Sequence, residues 1–231
     1  MIPSRAPPTL ILDLDGTLVD SAVTITATIN TIRDRKRLPP LEIATVKPLV
    51  ALGADKLIRT TLPYQDIIHS KKLEEFRRIY LNARIDRSNL FDGVEETLTF
   101  LRSLGMKLAI CTNKPRPLAE KTLKETGIAH QFDCIVCGSE APDDKPAPDQ
   151  VFLVLEMLGS QSQDCLFIGD TRVDHEASLA AGIEFLYFPS GYDPEINWTN
   201  GLLQFPTQSF SSEIILEAFR SMGHFSASVD N

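Results

Sequence analysis

An apolar run that ends in two acids constrains this chain more than any other stretch of its sequence. Residues 9–12 (Thr-Leu-Ile-Leu) are β-branched and aliphatic, which is typical of a strand covered on both faces. Asp13 and Asp15 follow at once, and Gly16 lets the chain turn away. The pattern predicts a buried strand that delivers two carboxylates to a polar sheet edge. Acids at a strand end also form turns and cap helices, so the motif by itself leaves both interpretations open.

Length and charge bound the class of protein. The chain has 231 residues, of which 43% are hydrophobic and 23% charged, enough for one good core and a second, smaller unit. A net charge of −8 argues against nucleic acid as a partner, because nucleic-acid binders usually present a basic surface. We therefore expect a soluble globular protein. An anionic substrate is compatible with this charge where a divalent cation shares its site.

Cysteines and apolar runs indicate the compartment. All four cysteines lie in or beside apolar, strand-like runs, where a free thiol behaves as a small buried hydrophobe; they are Cys111, Cys134, Cys137 and Cys165. We expect no disulfides, and the C-x-x-C pair is expected to pack in the core rather than bind zinc or do redox work. Residues 1–8 lack the apolar centre of a signal peptide, and no run is long enough to span a bilayer. These features predict a cytoplasmic protein with no membrane partner.

The stretch from residue 21 to residue 88 has helical periodicity. At its start, apolar residues recur at three- and four-residue steps, which predicts an amphipathic helix. Pro48 and Gly53 are expected to break its middle part into short helical pieces around a loop at 50–56. A third helix is predicted over 70–83. We interpret the whole stretch as a helical insert.

From residue 89 onward the pattern changes to alternating helices and short apolar strands. The predicted strands are 107–111, 134–137, 165–168 and 184–188, and the predicted helices are 93–104, 117–125, 148–158, one that runs to 181, and 212–220. Alternation of this kind predicts an α/β fold, a parallel sheet with helices on both faces. We divide the chain into a catalytic core of residues 1–20 and 89–231 and a small helical cap of residues 21–88.

Three of the predicted strands end in acids or small polar residues. Asp13 and Asp15 follow the first strand, Thr112 and Asn113 follow the next, and Asp170 follows a third. In a parallel α/β sheet the ligand lies beyond the carboxyl ends of the strands, in the crevice where the strand order reverses. Random loops would not usually place such residues after three separate strands. The convergence therefore favours a binding site over turn chemistry.

The carboxylates at this edge suit phosphoryl transfer. Asp13 and Asp170 would form a hard, oxygen-only site of the kind that Mg²⁺ prefers, together with water and phosphate oxygens. Next to such an ion, Asp13 is the candidate nucleophile that would form an aspartyl-phosphate. Asp15 lies on the same side of an extended chain, so we predict that it gives a proton to the leaving oxygen and later takes one from water.

Neutral donors and one cation complete the predicted site. Thr112 and Asn113 offer hydrogen-bond donors to phosphate oxygens, and Lys145 offers positive charge. Asp174, four residues after Asp170, is predicted to orient metal-bound water as an outer ligand. Each has a plainer alternative, because a strand-terminal Thr-Asn pair often forms a turn, a loop lysine is usually solvated, and a first-turn aspartate favours the helix dipole.

The same residues resemble a known family. Four motifs occur in order: Asp13-Leu14-Asp15-Gly16-Thr17, Thr112-Asn113, Lys145, and Gly169-Asp170-Thr171-x-x-Asp174. In order, spacing and strand-end setting they are similar to the motifs of the haloacid dehalogenase-like hydrolase superfamily over nearly the whole chain. The resemblance implies a Rossmann-like core, a Mg²⁺-dependent aspartyl-phosphate mechanism and a mobile helical cap inserted after the first motif, which residues 21–88 fit.

The resemblance also implies a role for each acid. Asp13 would be nucleophile and metal ligand, and Asp170 would complete the protein ligands. Asp15 would act as acid and base and bind the metal through its backbone carbonyl. An acid at that position separates the chain from the true dehalogenases and the phosphonoacetaldehyde hydrolases, which lack one there. A phosphate-ester or mutase activity is therefore favoured.

Three functions fit these residues. The first is a phosphatase, monomeric or dimeric, that acts on a small phosphorylated metabolite; residues 90–94, residues 112–115 and the segment around Gly53 are similar to phosphoglycolate phosphatases, which suggests 2-phosphoglycolate. The second is a sugar-phosphate mutase, although the cap motif Lys-Gly-x-Ser-Arg of that branch is absent. The third is a non-enzymatic regulator on the same fold, against which the complete set of acids and Lys145 argues.

Substrate choice is expected to lie in the cap, whose closure would exclude bulk water. Its basic residues Lys47, Lys56 and Arg59 are candidate contacts for a substrate carboxylate. An exposed helix face is the plainer fate of each.

Overall fold

A parallel sheet carries the fold. The computed structural model describes residues 7–62, 69–189, 192–193 and 201–224. The strands in these residues are β1 (Thr9–Leu12), β2 (Lys107–Pro115), β3 (Cys134–Gly138), β4 (Cys165–Gly169), β5 (Glu184–Tyr187) and β6 (Leu203–Gln204). They form one sheet in the order β3-β2-β1-β4-β5-β6, and every neighbouring pair is parallel.

Helices cover both faces of this sheet. The α-helices of the described residues are α1 (Ala22–Arg35), α2 (Ile43–Ala51), α3 (Gly53–Thr61), α4 (His69–Tyr80), α5 (Val94–Ser103), α6 (Arg116–Thr126), α7 (Asp149–Leu158), α8 (Arg172–Ala180) and α9 (Ser212–Ser221). Side chains of a strand point alternately to its two faces. Accordingly, Leu10 and Leu12 of β1 pack with α5, α6 and α9, whereas Ile11 packs with α7 and α8. The predicted Rossmann-like α/β fold is confirmed.

Strand β1 lies in the middle of the sheet and positions the site. In register, Leu12 at its end faces Ile110 of β2 on one side and Ile168 of β4 on the other. The chain runs outward through β2 and β3, then crosses back over β1 to start β4, so the strand order reverses between β1 and β4. Asp13 and Asp170 therefore emerge at the same carboxyl edge, beside the reversal point, where ligands bind in sheets of this kind.

Helices α1 to α4 share a core of their own. Ile25, Ile29 and Ile32 form the predicted apolar face of α1 and pack with side chains of α2, α3 and α4. Leu118 of α6 belongs to the same cluster, so the four helices also pack against a helix that covers the sheet. The boundaries of the predicted cap, residues 21–88, stay a prediction.

The loop predicted at residues 50–56 is wrong. Helix α2 continues to Ala51 and α3 begins at Gly53, with only Leu52 between them. Gly53 has a φ of +84°, which a residue without Cβ adopts readily, so the break is one residue long rather than seven. Pro48 lies inside α2 and does not end it, because a proline removes one backbone donor and a short helix can persist without that bond.

Other predicted elements differ at their ends. β2 continues to Pro115, so Thr112 and Asn113 belong to the strand rather than follow it. The third predicted helix ends at Tyr80, three residues early. Strand β6 is not predictable from the sequence, because two residues are too few to show a period. All four cysteines are buried and free, which confirms their predicted packing.

Two predictions concern features beyond the core. Among the helices described, none combines the length and the hydropathy that crossing a bilayer demands. The stretch predicted to lack a signal peptide lies mostly outside the described residues.

Replacing Phe188 by alanine should destabilise the protein by about 3–5 kcal/mol, because it leaves a cavity in the core. Phe188 is fully buried, and the centroids of Phe91, Phe205 and Phe210 lie 5.1 to 5.4 Å from its own. Urea denaturation measures the change. The control is Phe100→Ala on α5, where the ring is 44% exposed and the loss should stay below about 1 kcal/mol. Equal losses in the two variants would contradict this assignment of the core.

Candidate active site

The Lys145 ammonium joins two of the predicted acids. Its Nζ donates to Asp13 Oδ1 at 2.8 Å, to Asp174 Oδ1 at 2.6 Å and to the carbonyl of Cys111 at 2.7 Å. All three donors of the ammonium are used. Burial alone would lower the pKa of Lys145, but the carboxylates of Asp13 and Asp174 hold it above its ordinary value. The plainer alternative, a solvated loop lysine, is wrong, because the side chain is buried.

The backbone of Lys145 is held by two amide side chains. Asn113 Nδ2 donates to the Lys145 carbonyl at 2.7 Å, and the Lys145 N–H donates to Asn113 Oδ1 at 3.0 Å. The Lys145 N–H also donates to Oε1 of Gln150, at the start of α7, at 3.4 Å. Gln150 Nε2 donates to Asp144 Oδ1 at 3.0 Å and to the Cys137 carbonyl at 3.1 Å, which ties the loop to β3. The Asn113 amide therefore positions Lys145, and its predicted contact with phosphate stays a prediction.

Three carboxylates meet where β1 and β4 end. Asp13, Asp170 and Asp174 each offer one oxygen, these oxygens lie within 4.8 Å of one another, and all three residues are buried. Thr17 Oγ1 donates to Asp170 at 3.1 Å, and the Thr171 hydroxyl donates to Asp174 at 2.6 Å. The structure brings Asp13 and Asp170 together, and the Asp174 carboxylate lies in the same cluster; its role as an outer ligand stays a prediction.

The cluster holds more negative charge than its one ammonium compensates. Burial, against the opposing charge of Lys145 and with the help of the Asp174 and Asp15 carboxylates, raises the pKa of Asp13 to about 7. Three buried carboxylates that offer only oxygen atoms form the donor set that a hard divalent cation prefers. The residues present therefore fit such an ion.

Two glycines let the acids approach so closely. Gly16 turns with a φ of +87°, and a Cβ on it would lie 2.3 Å from Asp170 Oδ2. A Cβ on Gly169 would lie 2.5 Å from the Cβ of Asp174. Heavy atoms cannot approach to these distances, so any side chain at either glycine would push an acid away.

Asp15 forms its ion pair with a different lysine, Lys114. Lys114 Nζ donates to Asp15 Oδ1 at 2.7 Å and to Oδ2 at 3.0 Å, and also to the Tyr80 hydroxyl at 2.9 Å. The Ser21 hydroxyl donates to the same carboxylate. Burial would lower the pKa of Lys114, but the Asp15 carboxylate holds it above its ordinary value. Sequence reasoning assigned Lys114 no role, although its place near the carboxyl end of a buried strand is the same signal that identified Asp13.

Tyr192 is a second residue that sequence reasoning missed. Its hydroxyl donates to Asp20 Oδ1 at 2.6 Å and accepts a bond from the Ala22 N–H at 2.7 Å. These bonds fix the segment through which the chain passes from the first motif into α1. No local pattern marks Tyr192, because its partners lie some 170 residues earlier.

A cavity of about 390 Å³ lies above this edge of the sheet. The chemistry-bearing residues that line it are Asp13, Asp15, Thr112, Asn113, Lys114, Lys145 and Asp174. The segment around Gly53, which belongs to the predicted cap, also lines the cavity. The basic residues Lys47, Lys56 and Arg59 are not among the lining residues that the structure describes. Lys56 and Arg59 are exposed, as their plainer fate predicted.

The fold and the site define an α/β protein with an acidic centre at the carboxyl edge of its parallel sheet. The chain belongs to the haloacid dehalogenase-like hydrolase family, whose model matches residues 10–188.

Curated relatives and a solved structure agree with this assignment. The phosphoglycolate phosphatase of Pseudomonas syringae pathovar syringae is 32% identical over 196 residues, which are 82% of this chain and 72% of the relative. That of Yersinia pseudotuberculosis is 33% identical over 198 residues, 84% of this chain and 85% of the relative. The crystal structure of a predicted phosphoglycolate phosphatase from Haemophilus somnus superposes with a TM-score of 0.76 at 25% identity, covering 93% of this chain and 99% of that one.

These findings confirm the predicted family and the predicted class of enzyme, a phosphoric monoester hydrolase. The roles of the individual acids, the identity of the ion and the oligomeric state stay predictions.

Replacing Gly16 by alanine should destabilise the protein more than a positive φ alone explains, because the new methyl group meets Asp170. Gly105→Ala is the matched control, since Gly105 has a φ of +79° and no atom lies within 4 Å of the place that its Cβ would take. We expect a loss of about 1–2 kcal/mol for the control and at least about 2 kcal/mol more for Gly16→Ala. Urea denaturation measures both, and equal losses would contradict the close approach.

Proposed function

We propose that the chain is a Mg²⁺-dependent phosphatase that hydrolyses a small phosphorylated metabolite through an aspartyl-phosphate on Asp13. The observation that carries the proposal is the buried Lys145 ammonium between Asp13 and Asp174, with Asp170 in the same cluster. The names of the curated relatives make 2-phosphoglycolate the first candidate substrate. We further propose that residues 21–88 act as the cap and that the enzyme works in the cytoplasm as a monomer or homodimer.

The donor set supports magnesium as the ion. Asp13 and Asp170 would hold it directly, Asp15 through its backbone carbonyl, and Asp174 through an ordered water. When bound, the ion supplies positive charge that stabilises the transferring phosphoryl group.

The first half-reaction uses Asp13 and Asp15. A carboxylate oxygen of Asp13 attacks phosphorus, forming the oxygen–phosphorus bond of the aspartyl-phosphate as the ester bond breaks. Lys145 keeps the attacking carboxylate in place and balances its charge. Asp15 donates a proton to the leaving oxygen, which therefore departs as a neutral hydroxyl group. The Thr112 hydroxyl accepts a bond from the Lys114 N–H at 3.3 Å, which leaves its own proton for a phosphate oxygen.

The second half-reaction restores the enzyme. Water attacks phosphorus, Asp15 takes the proton of that water, and the bond between Asp13 and phosphorus breaks to release inorganic phosphate. Apolar side chains of α1 to α4 line the cavity beside this centre, and closure of these helices over the substrate would exclude bulk water from it.

Replacing Asp13 by asparagine should abolish release of inorganic phosphate from small phosphate esters in the presence of Mg²⁺, because the amide is not a nucleophile. A phosphate-release assay over a panel of small esters measures it. Asp143→Asn is the matched control, since Asp143 is an exposed aspartate just before Lys145, and this variant should keep wild-type rates. Conversion of a hexose phosphate by the wild type without phosphate release would instead identify a mutase, and no turnover of any ester would favour a regulator.

Mg²⁺ should raise the melting temperature of the wild type, because a ligand that binds only the folded state stabilises it. In Asp170→Asn the rise should be smaller, since the variant loses one carboxylate of the cluster. Differential scanning fluorimetry with and without MgCl₂ measures both, and Asp143→Asn serves again as control. An unchanged rise in Asp170→Asn would contradict the proposed ligand set.

A further inference from the structure

We propose that Lys114 and Tyr80 form the specificity-determining pair of this enzyme, and that Lys114 receives a substrate carboxylate carried by the carbon next to the ester oxygen. This inference rests on the proposed phosphatase function, whose first candidate substrate carries such a carboxylate, and it assigns the residues that would recognise that group.

Lys114 is the cation of the cavity that faces the leaving group. Among the lining residues that the structure describes, the cations are Lys114 and Lys145. Lys145 directs all three of its donors at the nucleophile Asp13, at Asp174 and at the Cys111 carbonyl. It therefore serves the phosphoryl side of the site, and Lys114 remains for the other end of the substrate.

Lys114 can bind a second carboxylate without releasing the first. Its Nζ donates two hydrogen bonds to one carboxylate, at 2.7 Å to Asp15 Oδ1 and 3.0 Å to Oδ2. It donates a third to the Tyr80 hydroxyl at 2.9 Å. One bond is enough to hold Asp15. The longer one is available for exchange with a substrate oxygen, and the Tyr80 ring, whose centroid lies 4.5 Å from Nζ, keeps the ammonium in place.

The position of Lys114 limits the length of the substrate. If Asp15 hydrogen-bonds the leaving oxygen at about 2.8 Å, Lys114 Nζ lies no more than about 5.5 Å from that oxygen, because it is itself 2.7 Å from Asp15 Oδ1. A carboxylate on the carbon bonded to the ester oxygen falls within this reach. A carboxylate several carbons farther along would be carried past the ammonium towards the helical wall.

Among the lining residues that the structure describes, helices α1 to α4 offer such a carboxylate no other charged partner. Helices α1 to α4 and the junction between them line the cavity with Ile25, Val50, Ala51, Leu52, Gly53, Ala54, Leu57, Phe76 and Tyr80. Tyr80 is the polar side chain in this set, and its hydroxyl already accepts the bond from Lys114. The wall therefore selects for a small apolar body, and the charge at its end is recognised by Lys114.

The test compares 2-phosphoglycolate with ethyl phosphate, which has the same two carbons and no carboxylate. Wild-type enzyme should show a higher kcat/KM for 2-phosphoglycolate, and Lys114→Met should reduce the ratio of the two kcat/KM values about 10- to 100-fold, the effect of losing a charged hydrogen bond. Any disturbance of Asp15 affects both esters alike and cancels in the ratio. Tyr80→Phe should reduce the ratio about 3-fold, and the exposed Lys56→Met should leave it unchanged.

The outcomes separate the inference from the proposed function. An unchanged ratio in Lys114→Met, or a wild type that hydrolyses both esters without preference, overturns the inference and leaves the phosphatase proposal standing. A wild type that releases phosphate from no ester overturns both. Where Lys114→Met hydrolyses neither ester, the ratio in Tyr80→Phe decides, since that variant keeps the ammonium and the ring.

Discussion

The arrangement depends on one buried ammonium. Lys145 places its charge between Asp13, which follows β1, and Asp174 in α8, and it also bonds the backbone of β2. Burying a carboxylate costs much free energy unless the group is paired and hydrogen-bonded. This ion pair therefore allows acids from separate strands to meet in one place. The bonds from Asn113 to the Lys145 backbone extend the same network into the loop that follows β3.

A second ion pair gives the site its two-sided character. Lys145 serves the acids at the phosphoryl end, whereas Lys114 and Tyr80 serve Asp15, the acid assigned to the leaving group. Tyr80 belongs to α4 and Lys114 to β2, so this pair joins the helical wall to the sheet at the point where the substrate would lie. Under the two proposals, chemistry and substrate choice would use neighbouring cations, and the two carboxylates of the first motif have different ionic partners, Lys145 for Asp13 and Lys114 for Asp15.

Much of the fold could be predicted because its signals are local. The alternation of apolar strands and helices marked β1 to β5 and helices α5 to α9, and the uninterrupted apolar run of β1 indicated a strand buried on both faces. Errors occurred where local pattern carries little information. At Gly53, helices α2 and α3 are separated by a single residue rather than by a loop. Strand β6 is too short to show a period. The sequence spacing also does not show how closely Gly169 lets Asp174 approach the other acids.

The sequence by itself determined which residue types stand at the ends of the strands, and therefore that acids, small donors and a lysine would meet at one edge of a parallel sheet. Only the tertiary structure decided which cation serves which acid. Lys145 lies 132 residues from Asp13, and Lys114 lies 99 residues from Asp15. Ion pairs over such separations are set by strand order and by the crossing of the chain over β1, and no periodicity in the sequence encodes that choice.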